Sequence, residues 1–312
     1  MTLESWKWPH IAKGMLTWVP PVNAWRQRRI STGGSDNPRY CYSVWLRHLV
    51  TLESYGFRIK GARVGELGPG DSIGTGLAAL LSGADSYVGL DVLPLCSTTN
   101  LKPIFKELVR LYKEKAPIPA EFPRIRPHVG VYEFPDHLID WTHFQERIDR
   151  IGTEISNGLS HRGEMIGYRA PWTSVEDVDA NSLDLIISQA VLEYVVPLDD
   201  VYRAMSTWLK PGLYSSNVID LSAHYLSPHW NGHWAYSQNE WWLARGRRES
   251  FLNREPLSAH LNRAQRFGFE ILAVQKETSQ NGLRVERLVQ PYQALGIEDR
   301  ETRGAYLILR KQ

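Results

Sequence analysis

Three features of the sequence predict an α/β fold with a mostly parallel β-sheet. From residue 61 onward, short apolar runs typical of buried strands alternate with amphipathic segments typical of helices. A glycine-rich turn at residues 65–74 joins the first of these strands to the first of these helices. Two strands in succession end the chain. This order favours right-handed βαβ units, because two parallel strands need a crossover connection between them.

The first 60 residues are expected to be mainly helical. Val44, Leu49 and Leu52 recur at helical spacing within residues 41–55, and Gly56 marks the end of that helix. This segment therefore predicts an amphipathic helix that packs one face against the rest of the protein.

The remaining elements follow in a regular order. The helix after the glycine-rich turn begins near Asp71 or Ser72, either of which can cap its N-terminus, and ends at Gly83. Pro211 and Gly212 are expected to end a later helix. The predicted strands are residues 62–68, 86–92, 164–170, 183–195, 213–221, 269–277 and 305–311, and the predicted helices are residues 71–83, 104–115, 143–155, 198–210 and 257–268.

These elements predict two parts of unequal size. Residues 1–60 form a helical N-terminal cap, broken at Pro20 and the proline after it. Residues 61–312 form one α/β domain with insertions near residues 93–160 and 222–256.

Composition and charge narrow the class of function. The formal net charge is +2, which gives no general electrostatic reason to bind nucleic acid. The chain has two cysteines and no apolar run approaching the roughly 20 residues of a membrane span, so we expect a cytoplasmic protein. Its 12 tryptophans are unusual and favour contact with ligands or partners that are partly apolar.

The glycine-rich turn predicts a small ligand held against bare backbone. A phosphate-binding P-loop needs a lysine after its last glycine, and none follows here. Gly68, Gly70 and Gly74 are spaced G-x-G-x-x-x-G, one residue longer than the dinucleotide fingerprint. S-Adenosylmethionine, which has no phosphate, tolerates a looser turn, and Glu66 can accept hydrogen bonds from its ammonium group.

Asp91 at the end of the second strand predicts a ribose contact. A carboxylate there can accept hydrogen bonds from both ribose hydroxyls. Nicotinamide dinucleotides and S-adenosylmethionine share this sugar, so Asp91 alone does not distinguish them.

Four stretches in order resemble the class I S-adenosylmethionine-dependent methyltransferases. They are VGELGPGDSIG, YVGLD, LDLIISQAVLEYVVPLDDVYRAMSTWLKPG, and FGFEILAV followed by GAYLILRK. The resemblance runs from about residue 61 to the C-terminus apart from the two insertions. It implies a Rossmann-like, seven-stranded, mostly parallel sheet with an antiparallel C-terminal hairpin, and S-adenosyl-L-methionine as cofactor.

The resemblance also implies roles for individual residues. It assigns Glu66, Gly68 and Gly70 to the methionine end of the cofactor, and Asp91 to the ribose. The aspartate that the family often has after its third strand has no plain counterpart in YRAPWTSVED.

The same resemblance suggests two further residues that contact the cofactor. Trp172, which lies in that stretch, is a candidate for stacking on adenine in place of the missing aspartate. Simple core packing is the alternative for this ring. Gln189 ends the fourth strand, at a position that faces the cofactor in the family.

His224 and Asp220 are the candidate catalytic residues. They follow the fifth strand, which ends on the substrate side of this fold. Methyl transfer to a hydroxyl requires removal of its proton, and histidine has a suitable pKa. Surface or structural histidines remain the alternative.

A tryptophan-rich stretch after the fifth strand supplies the candidate acceptor contacts. Aromatic faces suit sugar rings or apolar molecules, and arginine suits phosphate or carboxylate. A tryptophan-stapled helical cap is the alternative, and no metal site is expected, although two histidines are spaced i, i+4. The candidates are His229, Trp230, His233, Trp234 and Arg245.

The N-terminal tryptophans and arginines admit two uses. Trp18 and Trp25 occur with Arg26, Arg28 and Arg29, and this mixture suits either peripheral membrane contact or a lid over the active site.

The sequence therefore predicts an enzyme that transfers methyl groups from S-adenosylmethionine by in-line displacement. The favoured reaction is O-methylation of a small-molecule or sugar-bearing acceptor, with a histidine general base. A nicotinamide-dependent oxidoreductase and a non-catalytic methyltransferase-like scaffold are the alternatives. The oligomeric state is left open.

Overall fold

The computed structural model describes residues 4–27, 33–122, 125–160 and 163–312. Its strands are β1 Arg63–Leu67, β2 Ser86–Leu90, β3 Ile166–Arg169, β4 Leu183–Gln189, β5 Leu209–Asp220, β6 Phe269–Thr278 and β7 Thr302–Lys311. Its α-helices are α1 Trp8–Leu16, α2 Pro20–Gln27, α3 Pro38–Glu53, α4 Gly74–Ser82, α5 Thr98–Lys113, α6 Phe144–Asn157, α7 Leu198–Trp208, α8 Gln238–Arg245, α9 Leu257–Arg266 and α10 Ile297–Glu301.

The strands form one seven-stranded sheet in the order β3-β2-β1-β4-β5-β7-β6. β1 to β5 run parallel to one another, whereas β7 is antiparallel to both of its neighbours, β5 and β6. The predicted seven-stranded α/β fold with an antiparallel C-terminal hairpin is therefore confirmed.

Helices cover both faces of this sheet. On one face α3, α4, α5 and α6 enclose the larger apolar core, and on the other α7 and α9 enclose a second core. α4 is buried on all sides, which agrees with its almost entirely apolar sequence. Parallel strands buried on both faces are rich in apolar residues, and the centre of β4, Leu185 to Ile187, follows this rule.

The boundary between α7 and β5 differs from the prediction. We expected a helix to residue 210 and a strand from 213, but α7 ends at Trp208 and β5 starts at Leu209. Leu209 is fully buried and pairs with Leu183, and the register shifts beyond this pair. Proline has no N–H to donate to a neighbouring strand. Pro211 is tolerated because it lies where the register of the β4–β5 pairing shifts, so that no hydrogen bond is needed from it.

Pro20 begins a helix instead of only breaking one. α2 starts at this residue. A proline in the first turn of a helix does not lose an internal hydrogen bond, because the N–H groups there have no helical partner.

The two insertions and the N-terminal segment add helices around the sheet. α5 and α6 lie in the first insertion, and α8 lies in the second and packs against α1. The division into a cap of residues 1–60 and a domain of residues 61–312 stays a prediction, and α3 contributes Trp45 to the larger core.

The glycine in the first turn of α4 is required by a neighbouring ring. A methyl group on Gly76 would lie 2.2 Å from Cε2 of Tyr87. We expect Gly76→Ala to lower the free energy of unfolding by about 1–3 kcal/mol, because Tyr87 is fully enclosed and cannot move aside freely. Urea denaturation would measure this change.

Gly152→Ala in α6 is the matched control. Its added methyl group would meet only Phe105, at an ordinary contact distance of 3.6 Å. The same exchange there should raise stability by about 0.5–1 kcal/mol, through the usual preference of helices for alanine. Equal effects at the two positions would contradict the steric explanation.

Candidate functional site

Most of the cofactor residues predicted from the sequence meet at the carboxyl edge of the sheet. Glu66 and Gly68 lie at the end of β1, Asp91 follows β2, Gln189 ends β4 and Asp220 ends β5. The order β2-β1-β4-β5 places these four strand ends side by side. Ligands bind at this edge in open α/β sheets.

The glycine loop adopts a conformation that only glycine takes readily. Gly68 and Gly70 have φ values of +63° and +72°. A methyl group on Gly68 would lie 2.5 Å from Cγ2 of Val191, so the loop also packs closely against the segment after β4. Its N–H donates to the carbonyl of Leu90 at 2.8 Å. The loop is thus fixed between the ends of β2 and β4.

The Asp91 carboxylate is bound by backbone N–H groups on two sides. Oδ2 accepts from Gly70 at 3.1 Å, and Oδ1 accepts from Val92 at 2.7 Å and Leu93 at 3.2 Å. The Gly70 N–H is therefore used by Asp91, whereas the sequence suggested that it faces a ligand. Because each carboxylate oxygen has two acceptor positions, Oδ2 keeps one for a further donor. Burial raises the pKa of Asp91, and the N–H groups of Leu93, Gly70 and Val92 oppose this rise.

Glu66 is buried below the glycine loop and paired with a tyrosine. Its Oε2 accepts from the Tyr87 hydroxyl at 2.6 Å. Burial raises the pKa of Glu66 to about 7, while the hydroxyls of Tyr87 and Thr75 partly lower it. Tyr87 was not predicted as a site residue. Gly76 and Gly89 both make room for Tyr87, since a methyl group on Gly89 would lie 2.8 Å from the tyrosine oxygen.

Trp172 lies beside Asp91. The backbone N–H of Trp172 donates to the backbone carbonyl of Asp91 at 2.9 Å. The segment after β3 is therefore held beside the predicted ribose contact. The indole packs edge-on against Trp208, with ring centroids 5.4 Å apart. Half-buried Trp172 therefore adjoins the second core, and its stacking on adenine stays a prediction.

Gln189 is held by a hydrogen-bond chain that the sequence did not reveal. His48 Nε2 lies 3.3 Å from Gln189 Oε1, His48 Nδ1 lies 2.6 Å from Ser216 Oγ, and Ser216 Oγ lies 2.8 Å from the Tyr306 hydroxyl. Burial lowers the pKa of His48 to about 4, against the effect of Gln189. Since an amide oxygen only accepts, the neutral imidazole donates through Nε2 and accepts from Ser216 at Nδ1.

The two candidate catalytic residues are adjacent. His224 Nε2 lies 3.6 Å from Asp220 Oδ2, and His224 Nδ1 lies 3.2 Å from the Tyr194 hydroxyl. Within the described part of the chain, Nε2 makes no hydrogen bond. His224 has a φ of +48°, a conformation uncommon outside glycine and often found at functional sites.

Glu193 is a buried acid that sequence reasoning missed. Neither of its carboxylate oxygens forms a hydrogen bond of normal geometry with any described residue. Burial raises the pKa of Glu193 well above its usual range, with Asp220 as a second contributor. A cavity of about 10 Å³, enough for one water, adjoins Glu193, Asp220 and His233. The signal available was an acid within the apolar run AVLEYVV.

Tyr40 joins this group from α3. Burial raises the pKa of Tyr40 to about 12, and the nearby Cys41, Glu66 and Glu193 add to that rise. The Tyr40 phenol is thus in the electrostatic neighbourhood of both buried glutamates, and it extends the candidate site towards the N-terminal helix.

The five predicted acceptor residues occupy different surroundings. Trp234 is fully buried, stacks on Tyr292 and donates to the Arg254 carbonyl at 3.0 Å. Buried His233 and half-buried Trp230 each have a ring nitrogen without a hydrogen-bond partner in the described ranges. His229 is half-buried, and Arg245 is exposed at the end of α8. Their contact with an acceptor stays a prediction.

The described residues contain neither a metal-binding cluster nor a helix that could span a membrane. Within residues 4–27, 33–122, 125–160 and 163–312, no group of three or more His, Cys, Asp or Glu side chains has a metal-binding arrangement. In the same ranges no helix is long and apolar enough to cross a bilayer.

Comparisons with known proteins find structural likeness only. No family model and no curated protein matches the chain. One similar solved structure is a putative sarcosine dimethylglycine methyltransferase from Galdieria sulphuraria, with 11% identity and a TM-score of 0.44, covering 85% of this chain and 84% of that one. Another is a putative S-adenosylmethionine dependent methyltransferase from Listeria monocytogenes, with 12% identity and a TM-score of 0.42, covering 86% and 99%.

A third similar structure is an S-adenosylmethionine dependent methyltransferase from Mesorhizobium loti. It has 16% identity and a TM-score of 0.39, covering 84% of this chain and 96% of that one. At such values the fold rests on the strand order of the chain itself. The chain has the fold that the resemblance to class I methyltransferases implies.

The pKa of Glu66 predicts a pH-dependent contribution to stability. Its folded value of about 7 exceeds the ordinary value of 4.5, so the folded state binds the proton more tightly. This contribution to the free energy of unfolding is fully present below pH 4.5. Up to about 3 kcal/mol of it is lost as the pH rises through 7. Glu66→Gln should remove this component from the pH dependence of the unfolding free energy, measured by denaturant titration from pH 4.5 to 8.

Glu133→Gln serves as the control, because this side chain is exposed. Its profile should match that of the unmodified chain. If Glu66→Gln also kept the original slope, the buried carboxyl would not be the group that binds the proton.

Proposed function

We propose that this protein is a methyltransferase that uses S-adenosyl-L-methionine. The observation that carries the proposal is a set of three buried carboxyls around the glycine loop, those of Glu66, Asp91 and Glu193. Burial raises the pKa of each of them. No described lysine or arginine forms a salt bridge with any of the three. A ligand with positive charge would offset the desolvation of these acids.

The charges of the two candidate cofactors distinguish them. S-Adenosylmethionine carries a sulfonium and an ammonium group, which complement buried acids. A nicotinamide dinucleotide would bring its pyrophosphate to the glycine loop, beside Glu66, and its negative charge would oppose ionisation of that carboxyl. The acids therefore favour methyl transfer over hydride transfer.

Each part of the cofactor has a candidate partner at this edge. The remaining acceptor position of Asp91 would bind the ribose, Glu66 with the loop glycines would hold the methionine end, and Trp172 would border the adenine. His48 orients the amide oxygen of Gln189, and no described residue accepts from its amide N–H groups, which would donate to the cofactor. When bound, the cofactor supplies an electrophilic methyl group.

We infer that the acceptor is a hydroxyl of a small or sugar-bearing molecule. If His224 donates from Nδ1 to Tyr194, the lone pair of the buried Nε2 would take the acceptor proton once the acceptor reaches it, and Asp220 would stabilise the resulting imidazolium. Orientation of the acceptor in a site closed to water would supply most of the rate. A cytoplasmic location, suggested by two free cysteines, belongs to the same proposal.

Asp91→Ala should abolish cofactor binding. Losing the charged acceptor of the ribose hydrogen bond, and with it the anchor of the glycine loop, should weaken the affinity for S-adenosylmethionine by about 100-fold or more. Titration calorimetry would measure the affinity, and thermal unfolding would show whether the variant is folded.

Asp85→Ala is the control, because Asp85 is an exposed aspartate just before the opposite end of the same strand. It should bind S-adenosylmethionine as the unmodified chain does. Normal binding by folded Asp91→Ala would exclude the ribose assignment. Binding of reduced nicotinamide dinucleotide in place of S-adenosylmethionine would exclude the proposed function.

His224→Ala should separate turnover from cofactor affinity. Loss of the proton acceptor should lower the rate by about 10²–10⁴-fold and leave the affinity for S-adenosylmethionine unchanged. The rate is that of S-adenosylhomocysteine formation with whichever sugar, phenol or hydroxy-acid acceptor supports turnover of the unmodified chain in a screen. His137→Ala, at an exposed histidine, should retain full activity. Full activity of His224→Ala would remove this residue from the mechanism.

A further inference from the structure

Nine large apolar side chains are exposed on the N-terminal helices, on the turn between them and on two segments that contact them. We call this set of side chains the tryptophan face. Trp8, Trp25 and Trp242 are 55%, 57% and 55% exposed. Isolated exposed apolar residues are ordinary, but this many on adjoining segments mark an interaction surface. Its members are Trp8, Met15, Leu16, Trp18, Val19, Val22, Trp25, Tyr225 and Trp242.

The charges on this surface are basic. Lys13, Arg245 and Arg247 are exposed, and Arg26 is half-buried in α2. No aspartate or glutamate occurs between Ser5 and Ser35. Two more arginines of the same segment, Arg28 and Arg29, lie outside the described residues.

The inner side of α1 is already occupied by α8. A methyl group on Gly14 would lie 2.1 Å from the Leu243 carbonyl oxygen, and the Trp18 and Trp242 rings are 4.9 Å apart. The Thr17 hydroxyl accepts from the Arg247 N–H at 2.7 Å. α1 and α8 are therefore held in a fixed arrangement. This arrangement presents the outer apolar side chains to solvent.

We propose that the tryptophan face docks on an anionic lipid membrane. Tryptophan is favoured at the boundary between lipid headgroups and acyl chains, and basic side chains are attracted to anionic lipids. A second copy of this chain fits less well, because a symmetric contact would bring the same basic residues together. Glu240, which shares α8 with Trp242, pairs with Lys7 at 3.2 Å.

The position of the face suits an acceptor that is delivered from the bilayer. Tyr225 follows the proposed base His224 directly and is 66% exposed, and its ring centroid lies 6.0 Å from that of His10. The mouth of the proposed acceptor site would thus open beside the membrane. This last step rests on the proposed function, whereas the docking itself does not.

Vesicle sedimentation tests the docking. The unmodified protein should sediment with vesicles of phosphatidylcholine containing about one-third phosphatidylglycerol, more weakly with phosphatidylcholine alone, and less as salt is added. The triple variant Trp8→Ser, Leu16→Ser and Trp25→Ser removes three side chains that are each more than half exposed. It should lower the partition coefficient by about tenfold or more.

The matched control changes exposed apolar residues elsewhere, through Val131→Ser, Val196→Ser and Ile297→Ser. It should bind vesicles as the unmodified chain does, and circular dichroism would verify that both triple variants are folded. The proposal fails if the unmodified protein does not bind anionic vesicles, or if the two triple variants bind equally. A dimer dissociated by the first triple variant, without vesicle binding, would assign the face to a second copy. Docking without methyl transfer would overturn only the proposed function.

Discussion

The hydrogen bond from the Gly70 N–H to the Asp91 carboxylate organises the carboxyl edge of the sheet. It joins the loop after β1 to the end of β2, and the remaining contacts of the loop follow from it. Gly68 can then approach Val191 after β4 because it has no side chain. A carboxylate that holds two backbone segments in place costs less to bury than a free one, since its charge is already solvated by N–H groups.

Much of the fold could be predicted because it depends on local patterns. Apolar runs and glycine positions located the strands, and Gly83 ended α4 as expected. The start of β5 was misplaced because its pairing with Leu183 is a long-range contact that overrides the local signal of Pro211. Pro20 was misread for a similar reason, because the same residue breaks a helix in its interior and begins one at its first turn.

The candidate site was less predictable than the fold. Glu66, Asp91 and Gln189 lie at strand ends, where position along the chain suffices to bring them together. His48 and Tyr40 come from α3, and no sequence spacing relates that helix to the edge of the sheet. Glu193 lies in an apolar run that reads as core. The three buried acids matter because no described basic side chain forms a salt bridge with them. Only the three-dimensional structure reveals that arrangement.

The chain of hydrogen bonds through His48 joins segments that are far apart in the sequence. His48 belongs to α3, whereas Tyr306 lies in β7, the last strand of the sheet in chain order. During synthesis, Gln189 therefore receives its final orientation only after β7 has left the ribosome and paired with β5. A nascent chain can assemble its parallel strands early, yet it would complete this binding edge only when β7 has joined the sheet.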